Sequence, residues 1–125
     1  MEQTQEEKDK SNRPARITSH ALVEVRRFRR LSLFAQSAVL LDISLAGFKL
    51  EFTGEASVKT GQQYWLVIPL RPLGIYSPEK LTIKAECRWF DSHRFRIGGV
   101  FMTLSKTERL IVEQILNALK GNSQA

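Results

Sequence analysis

Residues 81 to 89 read Leu-Thr-Ile-Lys-Ala-Glu-Cys-Arg-Trp, an unbroken alternation of apolar and polar side chains. Only an extended backbone sends neighbouring side chains to opposite faces, so this segment is expected to form a β-strand with one face on a core. Phe48, Leu50 and Phe52 alternate with Lys49 and Glu51 in the same way. Weaker signals of the same period run from Ala21 to Phe28, Ala38 to Ile43, Tyr64 to Leu70 and Phe95 to Met102. Six strands result.

The segments between them carry turn chemistry: Leu45-Ala46-Gly47, Thr53-Gly54 through Gly61, Arg71-Pro72-Leu73-Gly74 to Pro78, and Asp91-Ser92-His93. No amphipathic stretch of helix length separates consecutive strands, so parallel crossovers are excluded and antiparallel pairing is expected. An open sheet of this size would leave two edges exposed, and closure into a barrel removes them. The expected fold is mainly β, a six-stranded antiparallel barrel.

The period changes once, after Leu104. Ser105 and Glu108 have capping-box spacing, in which each side chain satisfies a backbone amide of the other. Leu110, Ile111, Ile115, Ala118 and Leu119 then recur at helical spacing, and Lys120-Gly121 reads as a stop. One C-terminal α-helix is therefore expected to close an end or side of the barrel. Its polar face holds Glu108 and Glu113 and is not rich in cations, which argues against a membrane-surface helix.

The chain has 125 residues, room for one domain. Residues 1–12 are polar and without apolar periodicity and read as a tail, 13–120 as the domain, and 121–125 as a second short tail. No apolar run approaches the roughly 18 residues of a spanning helix, and the N-terminus lacks the apolar stretch of a secretory signal, so membrane insertion is not expected and a cytoplasmic location is. Cys87, the single cysteine, reads as core filling.

The formal charge of +6 is uneven. Glu2, Glu6, Glu7 and Asp9 face only Lys8 and Lys10 in the tail, whereas Arg13, Arg16, Arg26, Arg27, Arg29 and Arg30 are opposed by Glu24 alone. Such a density of guanidinium groups implies an anionic partner: nucleotide, nucleic acid or an acidic protein face.

The segment richest in chemistry is Asp42-Ile43-Ser44-Leu45-Ala46-Gly47, a D-x-S-x-x-G pattern at a strand end. Asp42 and Ser44 are expected on one side of the extended chain, with Gly47 permitting a tight turn and close approach by a ligand. Taken alone, the pattern reads first as a hairpin whose aspartate and serine bond their own turn amides. Together with Ala85-Glu86-Cys87-Arg88-Trp89, Arg96-Ile97-Gly98-Gly99-Val100-Phe101 and the helix after them, it resembles the PilZ family over residues 13–120. That family pairs an N-terminal R-x-x-x-R with a later D/N-x-S-x-x-G.

The resemblance implies a PilZ-like split barrel that binds the second messenger cyclic di-GMP. A literal R-x-x-x-R stands at Arg26 and Arg30, but only eleven residues lie between Arg30 and Asp42, too few for the strand and turn the family places there. Arg13 and Arg16 are better placed, with Asn12 in the first arginine position. The resemblance thus assigns Arg13, Arg16, Asp42, Ser44, Gly47 and Trp89 to the ligand, and Arg26 and Arg30 as secondary candidates.

The chemistry suits such a ligand. A guanidinium fork matches guanine O6 and N7, stacks on bases and pairs with phosphate, and a carboxylate accepts from guanine N1 and N2. Trp89, at a strand end, is expected either to offer an aromatic face to a purine or to pack in the core, because its phase matches Ile83 and Ala85. The arginines at 26, 27, 29 and 30 fall in and after a strand, so they cannot all face one ligand.

Nothing in the pattern points to catalysis or a cofactor. His20 and His93 stand apart from any metal-ligand spacing, and no phosphate loop, nucleophile elbow or spaced cysteine pair is present. The expectation is a receptor or adaptor that relays cyclic di-GMP levels to a protein effector in motility, pilus or biofilm control. The alternative is a PilZ-like interaction module in pilus or motility assembly that binds no nucleotide. Single-stranded nucleic acid is disfavoured, since Tyr64, Trp65, Tyr76 and Trp89 form no same-face row. A homodimer is compatible with the sequence, though no heptad or long apolar edge demands one.

Overall fold

In the structure, a computed structural model, residues 17–30 and 35–124 are described. The six strands are β1 (Ile17–Arg26), β2 (Gln36–Ile43), β3 (Gly47–Phe52), β4 (Gln63–Pro69), β5 (Lys80–Asp91) and β6 (Arg96–Phe101). They close into one barrel in the order β1-β2-β3-β6-β5-β4, every pairing antiparallel. The sheet has no free edge because β4 returns to pair with β1, Leu66 opposite Val25.

Alternation fills the interior as the sequence requires. Val23 and Val25, Ala38 and Leu40, Phe48, Leu50 and Phe52, Tyr64, Leu66 and Ile68, Leu81, Ile83, Ala85 and Cys87, and Ile97 are all buried in one core. The rings of Phe48 and Phe101 stack across β3 and β6 with centroids 5.5 Å apart. Cys87 is a buried free thiol, as a core-filling residue should be.

The first strand differs from its expected span, Ala21 to Phe28. It begins at Ile17 and ends at Arg26, and Phe28 lies in an exposed bend. The pairing with β2 draws the earlier residues into the sheet: Ile17 is opposite Ile43 and Thr18 opposite Asp42, although they carry little apolar periodicity of their own. Partner hydrogen bonds, not local pattern, set that boundary.

One helix, α1 (Lys106–Gln124), follows β6. The capping box forms in both directions: the Glu108 amide donates to Ser105 Oγ at 3.1 Å and the Ser105 amide donates to Glu108 Oε1 at 2.9 Å. Ile111, Val112, Ile115 and Leu119 enter the barrel core, while the helix packs against β1, β5 and a 3-10 turn at Arg71–Leu73. The expected stop at Lys120-Gly121 does not hold, and residues 121–124, read as a tail, are helical. Glycine costs a helix interior only about 1 kcal/mol relative to alanine, so the helix runs through it.

The connectivity gives the barrel two unlike ends. At one lie the N-terminus of β1, the β2–β3 hairpin, the 3-10 turn and α1. At the other lie Arg27 to Arg30, the 53–62 segment and the Asp91–Phe95 turn. No described helix is long and apolar enough to cross a membrane.

Candidate functional site

The register of five strands assembles the site. Thr18 of β1 is opposite Asp42 of β2, Asp42 is opposite Lys49 of β3, Lys49 is opposite Gly98 of β6, and Gly98 is opposite Trp89 of β5. These residues form a single lateral row around the barrel. Residues aligned across neighbouring strands share a face, so a carboxylate, an ammonium and an indole stand side by side on the outer surface.

Two irregularities place Asp42 and Trp89 in that row. In β2 the register with β3 shifts between Leu40 and Asp42, so Leu40 and Ile43 both point inward and Asp42 between them is turned to the outer face. In β5 the register with β6 shifts between Cys87 and Trp89. The extra residue breaks the alternation that would have carried Trp89 inward with Ile83 and Ala85: Cys87 is buried, Arg88 and Trp89 are both outside, and Phe90 returns to the core. Trp89 is 41% exposed, so core packing, one of its two expected roles, is excluded by the bulge.

Glycines make room for this arrangement. A β-carbon on Gly98 would overlap the Trp89 indole nitrogen and ring, so the indole lies across the glycine and is held to the barrel wall. Gly47 is needed for a different reason from the one its sequence suggested. Its backbone is not left-handed; a β-carbon there would overlap the carbonyl oxygen of Gly99, which β6 brings against it. The close approach at Gly47 is thus that of a neighbouring strand.

Ser44 is buried, with its hydroxyl accepting from the amides of Ala46 at 3.2 Å and Gly47 at 3.3 Å. Its own amide donates to the Gly47 carbonyl at 2.9 Å, and the Phe101 amide donates to the Ala46 carbonyl at 3.0 Å. The serine therefore holds the hairpin that presents Asp42 and ties it to the end of β6.

Arg13 and Arg16 lie outside the described residues. Arg26 and Arg30 are not brought to the row. Thr18 to Val25 is seven residues of strand, about 23 Å, so the Arg26 end of β1 sits at the other mouth, beside Gln36. There Arg26 pairs with Glu24 and its Nη1 donates to the Arg29 carbonyl at 3.4 Å. Arg29 in turn places its guanidinium 5.4 Å from the Trp65 ring centroid, and Lys84 Nζ stands 5.7 Å from the same centroid. His93 sits in a turn whose amides, its own and that of Arg94, donate to Asp91 Oδ1.

Sequence reasoning passed over Lys49 and Gly98, which the register places in the row. Alternation already put Lys49 on the outer face, but its placement against Asp42 is a matter of pairing between strands. Among the described residues no cluster of three or more histidines, cysteines or carboxylates is arranged to hold a metal.

Comparison with protein-family models and with curated proteins gives no match at the level of sequence. Comparison of folds is decisive. The PilZ domain of YcgR from Escherichia coli, solved with c-di-GMP, superposes with a TM-score of 0.69 at 14% identity, covering 90% of this chain and 94% of that domain. The PilZ domain of CeSA from a cellulose-synthesizing bacterium gives 0.59 at 14% identity over 87% of this chain and 98% of the other. The Bacillus subtilis inhibitor of motility MotI/DgrA gives 0.60 at 12% identity, this chain covering 90% of itself and 53% of that longer protein. The fold is that of a PilZ domain.

Proposed function

We propose that this PilZ-fold chain is a cyclic di-GMP receptor that relays nucleotide binding to a protein effector, and that it is not an enzyme. The observation that carries the reading is the outer row Asp42–Lys49–Gly98–Trp89, which begins beside Thr18. Covalent connectivity puts Arg16 two residues ahead of Thr18 and Arg13 five, so the arginine arm joins the barrel next to the carboxylate. The YcgR domain of the same fold was solved with this nucleotide.

In this reading Asp42 accepts from guanine N1–H and N2–H, and Arg13 and Arg16 supply guanidinium forks to base edges and phosphates. Lys49 adds a point charge for a phosphate, and Trp89 offers an aromatic face on which a purine stacks. Ser44 and Gly47 hold the hairpin at the height the ligand needs. Binding orders the arm by new charge-assisted hydrogen bonds, and the changed surface is what an effector in motility, pilus or biofilm control would detect. On this reading the receptor acts in the cytoplasm.

Calorimetric titration with cyclic di-GMP tests this directly. Saturable binding at micromolar or lower concentration, abolished in Arg16→Ala and Asp42→Ala, is the expected result. No heat with the wild-type chain would leave the second reading, an interaction module without a nucleotide, which the engagement of the Ser44 hydroxyl with its own turn favours.

A further inference from the structure

The arginines at 26, 27, 29 and 30 are left unexplained by a nucleotide site at the opposite end of β1. Two of them have structural work: Arg26 is held by Glu24 and bonds the Arg29 carbonyl, and Arg29 lies over Trp65. These contacts fold the segment after β1 back over β4. Arg27 and Arg30 remain exposed, and neither pairs with a carboxylate among the described residues.

Arg27 lines a cavity of about 230 Å³ at this mouth of the barrel, together with Val25, Gln36, Ser57 and Tyr64. The cavity has an apolar floor in Val25 and polar walls, with Arg27 its cation. Tyr64 is fixed there, its hydroxyl accepting from the Lys59 amide at 3.1 Å and donating to Gln62 Oε1 at 3.0 Å. Across Gln36 lies a second cavity, of about 150 Å³, lined by Ser37, Phe52, Thr53, Gly54 and Glu55. Gln36 thus separates a cationic half of the mouth from one that carries a carboxylate.

We propose that this mouth docks an acidic segment of a protein partner, with one carboxylate side chain seated against Arg27 and a neighbouring acid on Arg30. A volume near 230 Å³ suits one or two side chains and falls below the roughly 300 Å³ at which small-molecule sites begin. Single-stranded nucleic acid would need bare aromatic faces for its bases. Here Trp65 is already covered by Arg29 and Lys84 and Tyr64 is buried, so the bare rings at this mouth are Phe28 and Phe95, on separate turns and not in a row on one strand face. Glu55 repels an acid from the adjoining half, which fixes the register of the bound segment. The inference rests on the receptor reading only for its purpose, as the contact through which an effector is held; its chemistry is independent of the nucleotide.

The test uses the full chain and a fluorescein-labelled hexaglutamate peptide, followed by anisotropy at about 50 mM salt, where screening is modest. Arg27→Gln/Arg30→Gln should weaken binding roughly tenfold, as loss of charge-paired contacts does. Lys106→Gln/Arg109→Gln, which removes the same charge at the helix end, should change it less than about twofold. Amide shifts on titration should centre on Val25, Gln36, Ser57 and Tyr64. Equal losses in the two double variants would reduce the effect to diffuse attraction and overturn the proposal. Tighter binding of an oligothymidylate through Arg27 and Arg30 would overturn it in favour of nucleic acid. Cyclic di-GMP titration of Arg27→Gln/Arg30→Gln should match wild type, so failure of either site is seen separately.

Discussion

The indole of Trp89 rests on Gly98, the residue directly opposite it on β6, in the space a β-carbon would fill. The bulge after Cys87 turns the tryptophan outward, and the missing side chain of its neighbour lets the ring lie against the barrel wall. A ring held this way is fixed in orientation without being part of the core.

Replacing Gly98 by valine should lift the ring. In a Trp65→Phe background, where Trp89 is the only indole, its fluorescence emission should move to longer wavelength as the ring becomes solvated. Trp89→Ala should leave stability within about 1 kcal/mol, since the side chain lies outside the core. The same change should weaken cyclic di-GMP binding by about 1–3 kcal/mol, the worth of one stacked base, measurable by calorimetry.

Gly47 and Gly54 should respond in opposite ways to alanine. At Gly47 the new methyl would overlap the Gly99 carbonyl oxygen, a backbone atom that cannot move without disturbing the β3–β6 ladder. Gly47→Ala is expected to cost about 1–3 kcal/mol or more. Around Gly54 there is open space and its φ is not positive, so Gly54→Ala should be neutral or stabilising by up to about 1 kcal/mol. Urea unfolding of the two variants checks both signs.

Burial pushes the Cys87 thiol above its ordinary pKa, with the Glu86 charge acting the same way and a backbone hydrogen bond at Trp89 acting against them. The folded state therefore keeps its proton where the unfolded chain gives it up. Stability from this group is fully present below the unfolded thiol value of about 8.5 and is lost as pH rises beyond it toward the folded value. Unfolding curves from neutral to alkaline pH should show that decline, and Cys87→Ala should remove this component. In the native protein at neutral pH, Cys87 should resist a disulfide-exchange reagent and react only after unfolding.

The Ser105–Glu108 box should be measurable as a cap. Ser105→Ala removes the acceptor for the Glu108 amide and should lower stability by about 1 kcal/mol, read by thermal or urea unfolding. Because α1 inserts Val112 and Ile115 into the core, the loss should appear in the single unfolding transition of the barrel.

Much of this molecule could be read along the chain because its signals are local. The alternation at Leu81–Cys87 and at Phe48–Phe52, the change of period after Leu104 and the Ser105–Glu108 spacing are each complete within a few residues. Side-chain direction on an extended or helical backbone follows from steric rules that act over that range. The D-x-S-x-x-G segment was legible for the same reason, and so was its double meaning, since Ser44 does cap its own turn.

Tertiary structure decided the rest. The bulges at Asp42 and Trp89, the placement of Lys49 and Gly98 between them, and the separation of Arg26–Arg30 from Asp42 by the length of β1 all depend on which strands pair and in what register. Register is a property of two segments at once: a slip of one residue reverses every side chain, and the choice is made by the barrel core as a whole. The sequence by itself therefore determined the elements and their chemistry, and closure of the barrel determined which of those groups stand together.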